Sequence, residues 1–280
     1  YQLWHGTPLK KIRYGGNTGS RAGYSLYRRL IHIFFPWKSD VGYNFVPAAS
    51  DASVAYLKEA FCTEHVYVTG YPRNDVLNPG DIADQRPPIA RCIYMPTFRG
   101  EFRTADSTDR TNQFLNATGF DVKRLDQLCS QAGITLALRM HPTNQPDETL
   151  EAAIRSSTSI WLDESVDIYE ELNNYDLLIT DYSSIFSDFF ITGKPIVHVP
   201  FDLEDYRSAS RDLYYNYNDI CLTPGLSTWE EVLALISVYR QQRIPAQYIQ
   251  KYRVLTRRFN RYIDNQSTAR VYNWAREHIR

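Results

Sequence analysis

Short apolar runs alternate with helical periodicity through the last two thirds of the chain. Runs rich in aliphatic and β-branched residues predict strands at 92–95, 134–139, 160–162, 177–180 and 196–199. Apolar residues at helical spacing predict helices at 122–131, 167–173, 185–191, 228–242, 245–262 and 267–278. Strands that alternate with helices are typical of α/β proteins with a parallel sheet and right-handed crossovers, and this is the fold class that we predict.

The earlier part of the chain has fewer regular patterns. Three elements are predicted there: a strand end at residues 1–5, a helix at 50–61 and a strand at 65–70. A segment rich in Pro, Asp and Gly at 78–88 predicts a linker. We therefore place a domain boundary near residue 85, between a first domain of residues 1–85 and a second of residues 86–280.

Two further interpretations concern local structure. The polar and charged segment from Arg99 to Gly119 predicts a loop, because no apolar periodicity is evident in it. His65 and His198 fall within predicted strands, so both are expected to be core residues rather than catalytic groups.

The stretch from Asp176 to Phe190 combines a buried strand with a possible anion site. Four aliphatic or β-branched residues lead to Asp181, after which Ser183 or Ser184 is expected to cap a new helix. The N-terminus of a helix attracts anions through its unpaired N–H groups and its dipole. An ordinary capped turn between a strand and a helix explains this stretch equally well. The residues at the other strand ends are therefore needed to distinguish an anion site from such a turn.

The carboxyl ends of parallel strands meet at one edge of a sheet and border a common crevice. The side chains expected there are Thr97, Arg99, Arg139, His141, Asp181, Ser183, Ser184 and Asp202. Hydroxyl, imidazole and guanidinium groups suit a nucleotide diphosphate. The chain has neither a P-loop nor the glycine-rich dinucleotide fingerprint, which disfavours ATPase, kinase and dehydrogenase functions.

Charge is distributed unevenly along the chain. The net charge is −1, but residues 1–40 carry seven basic side chains and one acidic side chain. Such a basic segment predicts a partner with phosphate groups or an anionic membrane surface, and the aromatic and basic residues of 24–38 predict an amphipathic helix that lies on the membrane or packs on its own domain. The four cysteines have no zinc-site spacing, so no metal is predicted; no cofactor is predicted as a requirement, the participation of Mg²⁺ stays open, and no nucleic acid is expected as a partner.

An ordered set of motifs resembles the CDP-glycerol glycerophosphotransferase family, the primases and polymerases that build teichoic acids and related poly(alditol phosphate) capsules. The matching sequences are LWHGTPLKK at 3–11, GYPRNDVL at 70–77, YMPTFR at 94–99, RMHP at 139–142, DIYEEL at 167–172, TDYSSIFSDF at 180–189, KPI at 194–196 and DLEDY at 202–206. Each motif is weak alone, whereas their order along the chain is specific. The resemblance departs at Asn216 and Asn218, where the family often has an acidic pair.

The resemblance implies a glycosyltransferase type B architecture with two Rossmann-like domains, of which the first is N-terminally incomplete here. It implies that the second domain binds CDP-glycerol or CDP-ribitol and that the first binds a polymer or lipid-linked acceptor. His5 would be the general base, and His141 would stabilise phosphate charge or assist the departure of CMP. Thr97, Arg99, Arg139, Asp181, Ser183, Ser184 and Asp188 would contact the donor. A peripheral location at the cytoplasmic face of the cell membrane is expected.

Two other functions remain compatible with the residues. One is a nucleotide-sugar glycosyltransferase or epimerase of the same fold, which would prefer UDP over CDP. The other is a non-catalytic module that binds a membrane or a polyanion through the basic segment.

Overall fold

A computed structural model describes residues 1–4, 6–12, 43–82, 89–97, 106–141, 145–203 and 213–278, with the side chains of 106–111 left out. His5, Arg99 and the predicted amphipathic segment 24–38 lie outside the described residues. The strands are β1 Val46–Ala48, β2 Val66–Val68, β3 Arg91–Met95, β4 Thr135–Leu138, β5 Ile160–Leu162, β6 Leu177–Thr180 and β7 Ile196–His198.

The α-helices surround two parallel sheets. They are α1 Asp51–Phe61, α2 Asp106–Ala117, α3 Val122–Ala132, α4 Glu148–Arg155, α5 Ile168–Glu171, α6 Ile185–Phe189, α7 Tyr217–Ile220, α8 Trp229–Gln241, α9 Ala246–Phe259 and α10 Ser267–His278. Short 3₁₀ helices cover Pro72–Val76, Leu172–Asn174 and Phe190–Thr192. The first sheet has the order β1-β2 and the second the order β5-β4-β3-β6-β7, and every pairing is parallel. The predicted α/β fold with parallel sheets is confirmed.

Two carboxylates on either side of β6 fasten it to β3. Asp176, which precedes β6, accepts hydrogen bonds from the backbone N–H groups of Ala90 and Arg91, each at 2.9 Å. Asp181, which follows β6, accepts from the backbone N–H of Thr97 at 2.8 Å. Because a shift of one residue would break both sets of bonds, these carboxylates fix the register of the central strand pair.

The edge strand β7 is completed by side chains instead of another strand. The Tyr248 hydroxyl accepts from the Ile196 N–H at 2.8 Å and donates to the Ile196 carbonyl at 2.7 Å. The Thr223 hydroxyl accepts from the His198 N–H and donates to the His198 carbonyl, at 2.8 and 2.9 Å. These bonds satisfy backbone groups that an edge would otherwise leave open to pairing with another chain.

The last helix returns to the small first sheet. Trp274 in α10 packs with Phe45 and Tyr67, with ring centroids 4.6 and 4.9 Å apart. The Asp75 carboxylate accepts from the backbone N–H groups of Ser267 and Thr268 and thereby caps α10. The division of the chain at residue 85 stays a prediction, with the addition that α10 packs on the sheet of the first segment.

Several local predictions were wrong. Within the predicted loop 99–119, the residues Asp106–Ala117 form α2, which contributes the buried residues Phe114 and Leu115 to the core. The helix α4 and the strand β1 were missed. Residues 1–4 form no strand, although the Gln2 N–H bonds the Phe45 carbonyl. His65 is exposed and lies immediately before β2, so its assignment to the core was wrong.

His198 is buried in β7, as the sequence predicted, and its burial should make the stability of the protein depend on pH. Burial lowers the pKa of its imidazole to about 3, and Nδ1 accepts from the Leu222 N–H at 3.3 Å. Between pH 6.5 and 3 the unfolded chain therefore binds a proton that the folded chain does not. The contribution of His198 to the unfolding free energy is therefore fully present above pH 6.5. Between pH 6.5 and 3, the unfolding free energy should fall by about 1.4 kcal/mol for each pH unit.

Urea unfolding of the His198→Asn variant between pH 7 and 4 should show a flatter dependence of the unfolding free energy on pH than the wild type. His65→Asn, which changes an exposed histidine, is the control and should keep the wild-type slope. Equal slopes for His198→Asn and the wild type would contradict the assignment.

Candidate active site

The predicted crevice lies where the order of the large sheet changes direction. From β3 the chain proceeds to β4 and β5 on one side, and then returns to β6 and β7 on the other. The loops that follow β3 and β6 therefore diverge and leave a crevice at their carboxyl ends. Thr97, Asp181 and the serines after β6 occupy this point, as the sequence predicted.

Asp181 and Thr97 join the loops that follow β6 and β3. The Asp181 carboxylate is fully buried, and its Oδ1 accepts from the Thr97 hydroxyl at 2.5 Å and from the Tyr182 N–H at 2.6 Å. The Asp181 carbonyl accepts from the hydroxyl of Tyr217 at 3.0 Å. These bonds hold the two diverging loops together. Direct contact of Thr97 or Asp181 with a bound phosphate stays a prediction.

Ser183 and Ser184 are half-buried at the start of α6. Ser184 occupies the N-cap position with helical angles, φ −68° and ψ −10°, and its side chain makes no capping bond. The expected serine cap was therefore wrong, because a capping residue has extended backbone angles, whereas those of Ser184 are helical. Neither serine hydroxyl has a hydrogen-bond partner among the residues that the structure describes, so both are available to a ligand.

His141 follows β4 and is half-buried near the positive charge of Lys10. Partial burial and, secondly, the Lys10 ammonium group lower the pKa of the imidazole. The segment that contains Lys10 is held by the backbone, because the Tyr214 N–H donates to the Leu9 carbonyl at 2.7 Å and Lys10 forms a bridge with Leu213. The structure thus brings the first motif of the chain close to the histidine after β4.

Arg139 lies at the end of β4 but its guanidinium group turns toward the loop after β5. Its Nη1 donates to the Asp163 carboxylate at 3.0 Å and to the Ser165 carbonyl at 2.6 Å. These contacts anchor the loop 163–165 beside β4. A phosphate contact by Arg139 stays a prediction, and it would have to be made in addition to these bonds.

Asp188 is buried within α6 rather than exposed to the crevice. Its carboxylate accepts from Arg73 Nη2 at 2.7 Å, from Asn74 Nδ2 at 3.0 Å and from the Tyr169 hydroxyl at 2.6 Å. In the sequence Arg73 belongs to the motif GYPRNDVL and, with Asp75, suits a hinge between the domains, but nothing there indicates its pairing with Asp188. The separation of the motifs along the chain, rather than the chemistry of each, concealed this cluster.

Two residues near the crevice, Lys10 and Tyr182, have roles that the sequence alone did not indicate. Lys10 was noted only as a source of charge, yet it lies close enough to His141 to affect its pKa. Tyr182 donates from its hydroxyl to Asp202 at 3.0 Å and thus links the loops after β6 and β7. Its place between Asp181 and Ser183 was the available signal.

One cavity lies away from the predicted site residues. A cavity of about 380 Å³ lies among α2, α3 and α4, lined by residues including Asn112, Phe120, Asp147 and Leu150, and none of the predicted site residues borders it. Within the described ranges, no group of three His, Cys, Asp or Glu side chains is arranged to hold a metal ion.

Comparisons with known proteins identify relatives. The teichoic acid poly(glycerol phosphate) polymerase of Bacillus spizizenii is 29% identical over 248 residues, which are 84% of this chain and 60% of the relative. The teichoic acid glycerol-phosphate transferase of Staphylococcus aureus is 26% identical over 96% of this chain and 69% of its own. The S. aureus ribitol-phosphate polymerase TarK is 28% identical over 76% of this chain and 40% of its own. The chain thus spans between two fifths and about two thirds of these relatives.

A solved structure and a family profile agree with these relatives. A variant of the wall teichoic acid polymerase TagF soaked with CDPG has a TM-score of 0.71 at 21% identity, over 99% of this chain and 67% of TagF. This agreement confirms the predicted glycosyltransferase type B fold. The profile of the family described as CDP-Glycerol:Poly(glycerophosphate) glycerophosphotransferase matches residues 1–275. Since that match covers nearly the whole chain, the chain belongs to the CDP-glycerol:poly(glycerophosphate) glycerophosphotransferase family.

Proposed function

We propose that the protein transfers glycerol phosphate or ribitol phosphate from a CDP-alditol to a hydroxyl group of a growing polymer or a lipid-linked primer, with release of CMP. The observation that carries the proposal is the position of Ser183 and Ser184 at the switch point of the sheet, where neither hydroxyl has a hydrogen-bond partner among the described residues. A diphosphate at this point would accept hydrogen bonds from both hydroxyls. Relatives named as glycerol-phosphate and ribitol-phosphate polymerases support the choice of donor.

The reaction forms a bond between the acceptor oxygen and phosphorus and breaks the bond between that phosphorus and the bridging oxygen of the diphosphate. In our proposal His5 takes the proton from the acceptor hydroxyl, and CMP leaves with the bridging oxygen. Phosphoryl transfer depends mainly on alignment and on the stabilisation of charge around phosphorus. Ser183 and Ser184 would supply hydrogen bonds, and Lys10 would supply positive charge near His141.

His141 acts in this proposal as a neutral imidazole that gains a proton when the donor binds. Its lowered pKa keeps it uncharged at neutral pH in the free protein. A nearby diphosphate favours the charged imidazolium and raises the pKa again. His141 can then donate a hydrogen bond to the leaving phosphate and stabilise the charge that develops on it.

The acceptor and the location of the reaction belong to the same proposal. Teichoic-acid-like and capsule polymers of alditol phosphate both offer a terminal hydroxyl on an anionic chain. The basic segment 1–40 suits such a chain and also an anionic membrane, which supports a peripheral position at the cytoplasmic face of the membrane. None of the described helices has the length and apolar character required to cross a bilayer.

The first test measures CMP release from CDP-glycerol and from CDP-ribitol with a primer acceptor. His5→Ala and His141→Ala should each lower turnover about 100-fold or more, because general acid–base groups contribute at least this much to proton transfer. His65→Ala is the matched control, since this histidine is exposed, and it should retain wild-type turnover. Unchanged turnover in the His5 variant would remove the general base from the proposal.

The second test concerns the donor site. CDP should raise the melting temperature of the wild type, and Ser183→Ala combined with Ser184→Ala should weaken CDP binding about tenfold or more, through the loss of two hydrogen bonds to a charged group. Ser130→Ala, an exposed serine on α3, is the control. Stronger stabilisation by UDP than by CDP would favour the nucleotide-sugar alternative. Salt-sensitive binding to anionic vesicles without any nucleotide effect would favour the non-catalytic module.

The third test follows the proton on His141. Because donor binding raises a pKa that is low in the free protein, binding of CDP-glycerol without an acceptor near pH 7 should take up protons, and the affinity should increase as the pH falls from 8 toward 6. CDP-glycerol is the ligand here because, unlike CDP, it has no terminal phosphate that titrates in this range. Calorimetric titration in two buffers with different ionisation enthalpies measures this uptake. His141→Gln should abolish it, and proton release by the wild type would contradict the assigned role.

A further inference from the structure

The buried carboxylate of Asp188 gathers three donors one helical turn after Ser184. Arg73, Asn74 and Tyr169 all donate to it, at 2.7, 3.0 and 2.6 Å. The Arg73 guanidinium also lies over the ring of Tyr169, 4.3 Å from its centroid. This cluster is therefore a single interlocked unit and not an isolated ion pair.

The members of the cluster come from both sheets. Arg73 and Asn74 lie in the 3₁₀ helix Pro72–Val76, which follows β2 of the small sheet. Tyr169 lies in α5 and Asp188 in α6, which follow β5 and β6 of the large sheet. Replacement of a buried ion pair as a whole is often neutral for stability, whereas removal of one partner is costly. The cluster therefore fixes the relative position of these helices more than it adds to the stability of the protein.

Gly6 lies directly against this cluster. A Cβ atom at Gly6 would lie 2.5 Å from Arg73 Nη2 and 3.7 Å from the Oδ2 atom of Asp188. The backbone there has φ +136°, a conformation that residues with side chains rarely adopt. No side chain fits between this backbone and the ion pair. Gly6 is also the residue that follows His5 in the chain.

We propose that Arg73 and Asp188, with Asn74 and Tyr169, are positioning residues that hold the backbone at Gly6 in a fixed place relative to the start of α6. The inference rests on the proposed function, in which His5 serves the acceptor and Ser183 and Ser184 serve the donor. None of the four residues contacts the reacting groups in this scheme. Their loss should therefore lower kcat while the affinity for the donor nucleotide is kept.

The test compares variants that replace the pair as a unit. Arg73→Gln combined with Asp188→Asn should lower kcat for CMP release about 10- to 100-fold, because small misplacements of reacting groups have effects of this size. CDP affinity should change less than twofold. The exposed pair of Arg253 and Asp81, joined at 2.8 Å, gives the matched control. Arg253→Gln combined with Asp81→Asn should leave kcat unchanged.

Two single variants probe the same contact. Gly6→Ala should reproduce the loss of kcat with CDP affinity retained, since the added Cβ would displace the backbone from the ion pair. Arg73→Lys keeps the charge and should recover part of the turnover lost in Arg73→Gln. Parallel loss of CDP affinity and kcat in all of these variants would overturn the inference and would assign the cluster to the donor site.

A coupling experiment separates positioning from general support of the fold. In a His5→Ala background, the paired replacement of Arg73 and Asp188 should reduce the residual turnover less than twofold, because the group that it positions is already absent. A full 10- to 100-fold further loss in that background would overturn the inference.

Hydrogen exchange gives a readout that does not depend on turnover. In the paired variant, amides of residues 6–12 should exchange at least fivefold faster than in the wild type, whereas those of β3 and β4 should not change. If the wild type fails to release CMP from either donor, the proposed function fails, and the exchange result still decides whether the cluster holds this segment. Unchanged exchange at residues 6–12 would refute the positioning role.

Discussion

The pairing of β3 with β6 is the constraint on which the site depends. These strands are neighbours in the sheet although β4 and β5 lie between them in the chain, and side-chain bonds support their register in addition to the ladder between them. Asp176 and Asp181 supply those bonds at opposite ends of β6. With both ends fixed, the loop to Thr97 and the turn at Ser183 stand at a set separation. The position of the crevice therefore depends on the register of the sheet, which these two carboxylates fix.

The sequence predicted most of the large sheet because its strands are buried on both faces and so appear as uninterrupted apolar runs. The strands at Leu177–Thr180 and Ile160–Leu162 match their predicted bounds. The helix Asp106–Ala117 was missed because its sequence is polar throughout most of its length, although Phe114 and Leu115 in its later part belong to the core. Strand order was beyond the sequence, since it arises from packing between distant segments. The same limit concealed the contact of Arg73 with Asp188, which are 115 residues apart.

Charge illustrates how averaging along a chain can mislead. The seven basic residues of 1–40 made the remainder seem acidic, but residues 241–280 carry nine basic and two acidic side chains. In the structure these residues form α9 and α10, and exposed arginines such as Arg257 and Arg276 lie on them. The acidic surplus therefore belongs to the middle of the chain, and the basic helix α10 packs on the small sheet.

The return of α10 to the small sheet affects how the protein can be made. Phe45 and Tyr67 emerge from the ribosome some two hundred residues before Trp274, the ring that packs against them. Until that helix is synthesised, the aromatic side chains of Phe45 and Tyr67 lack this packing partner. The large sheet, whose strands are all complete by His198, can fold meanwhile. The order of synthesis thus differs from the order of folding: the small sheet is translated before the large sheet, but it becomes fully packed only after α10 is made.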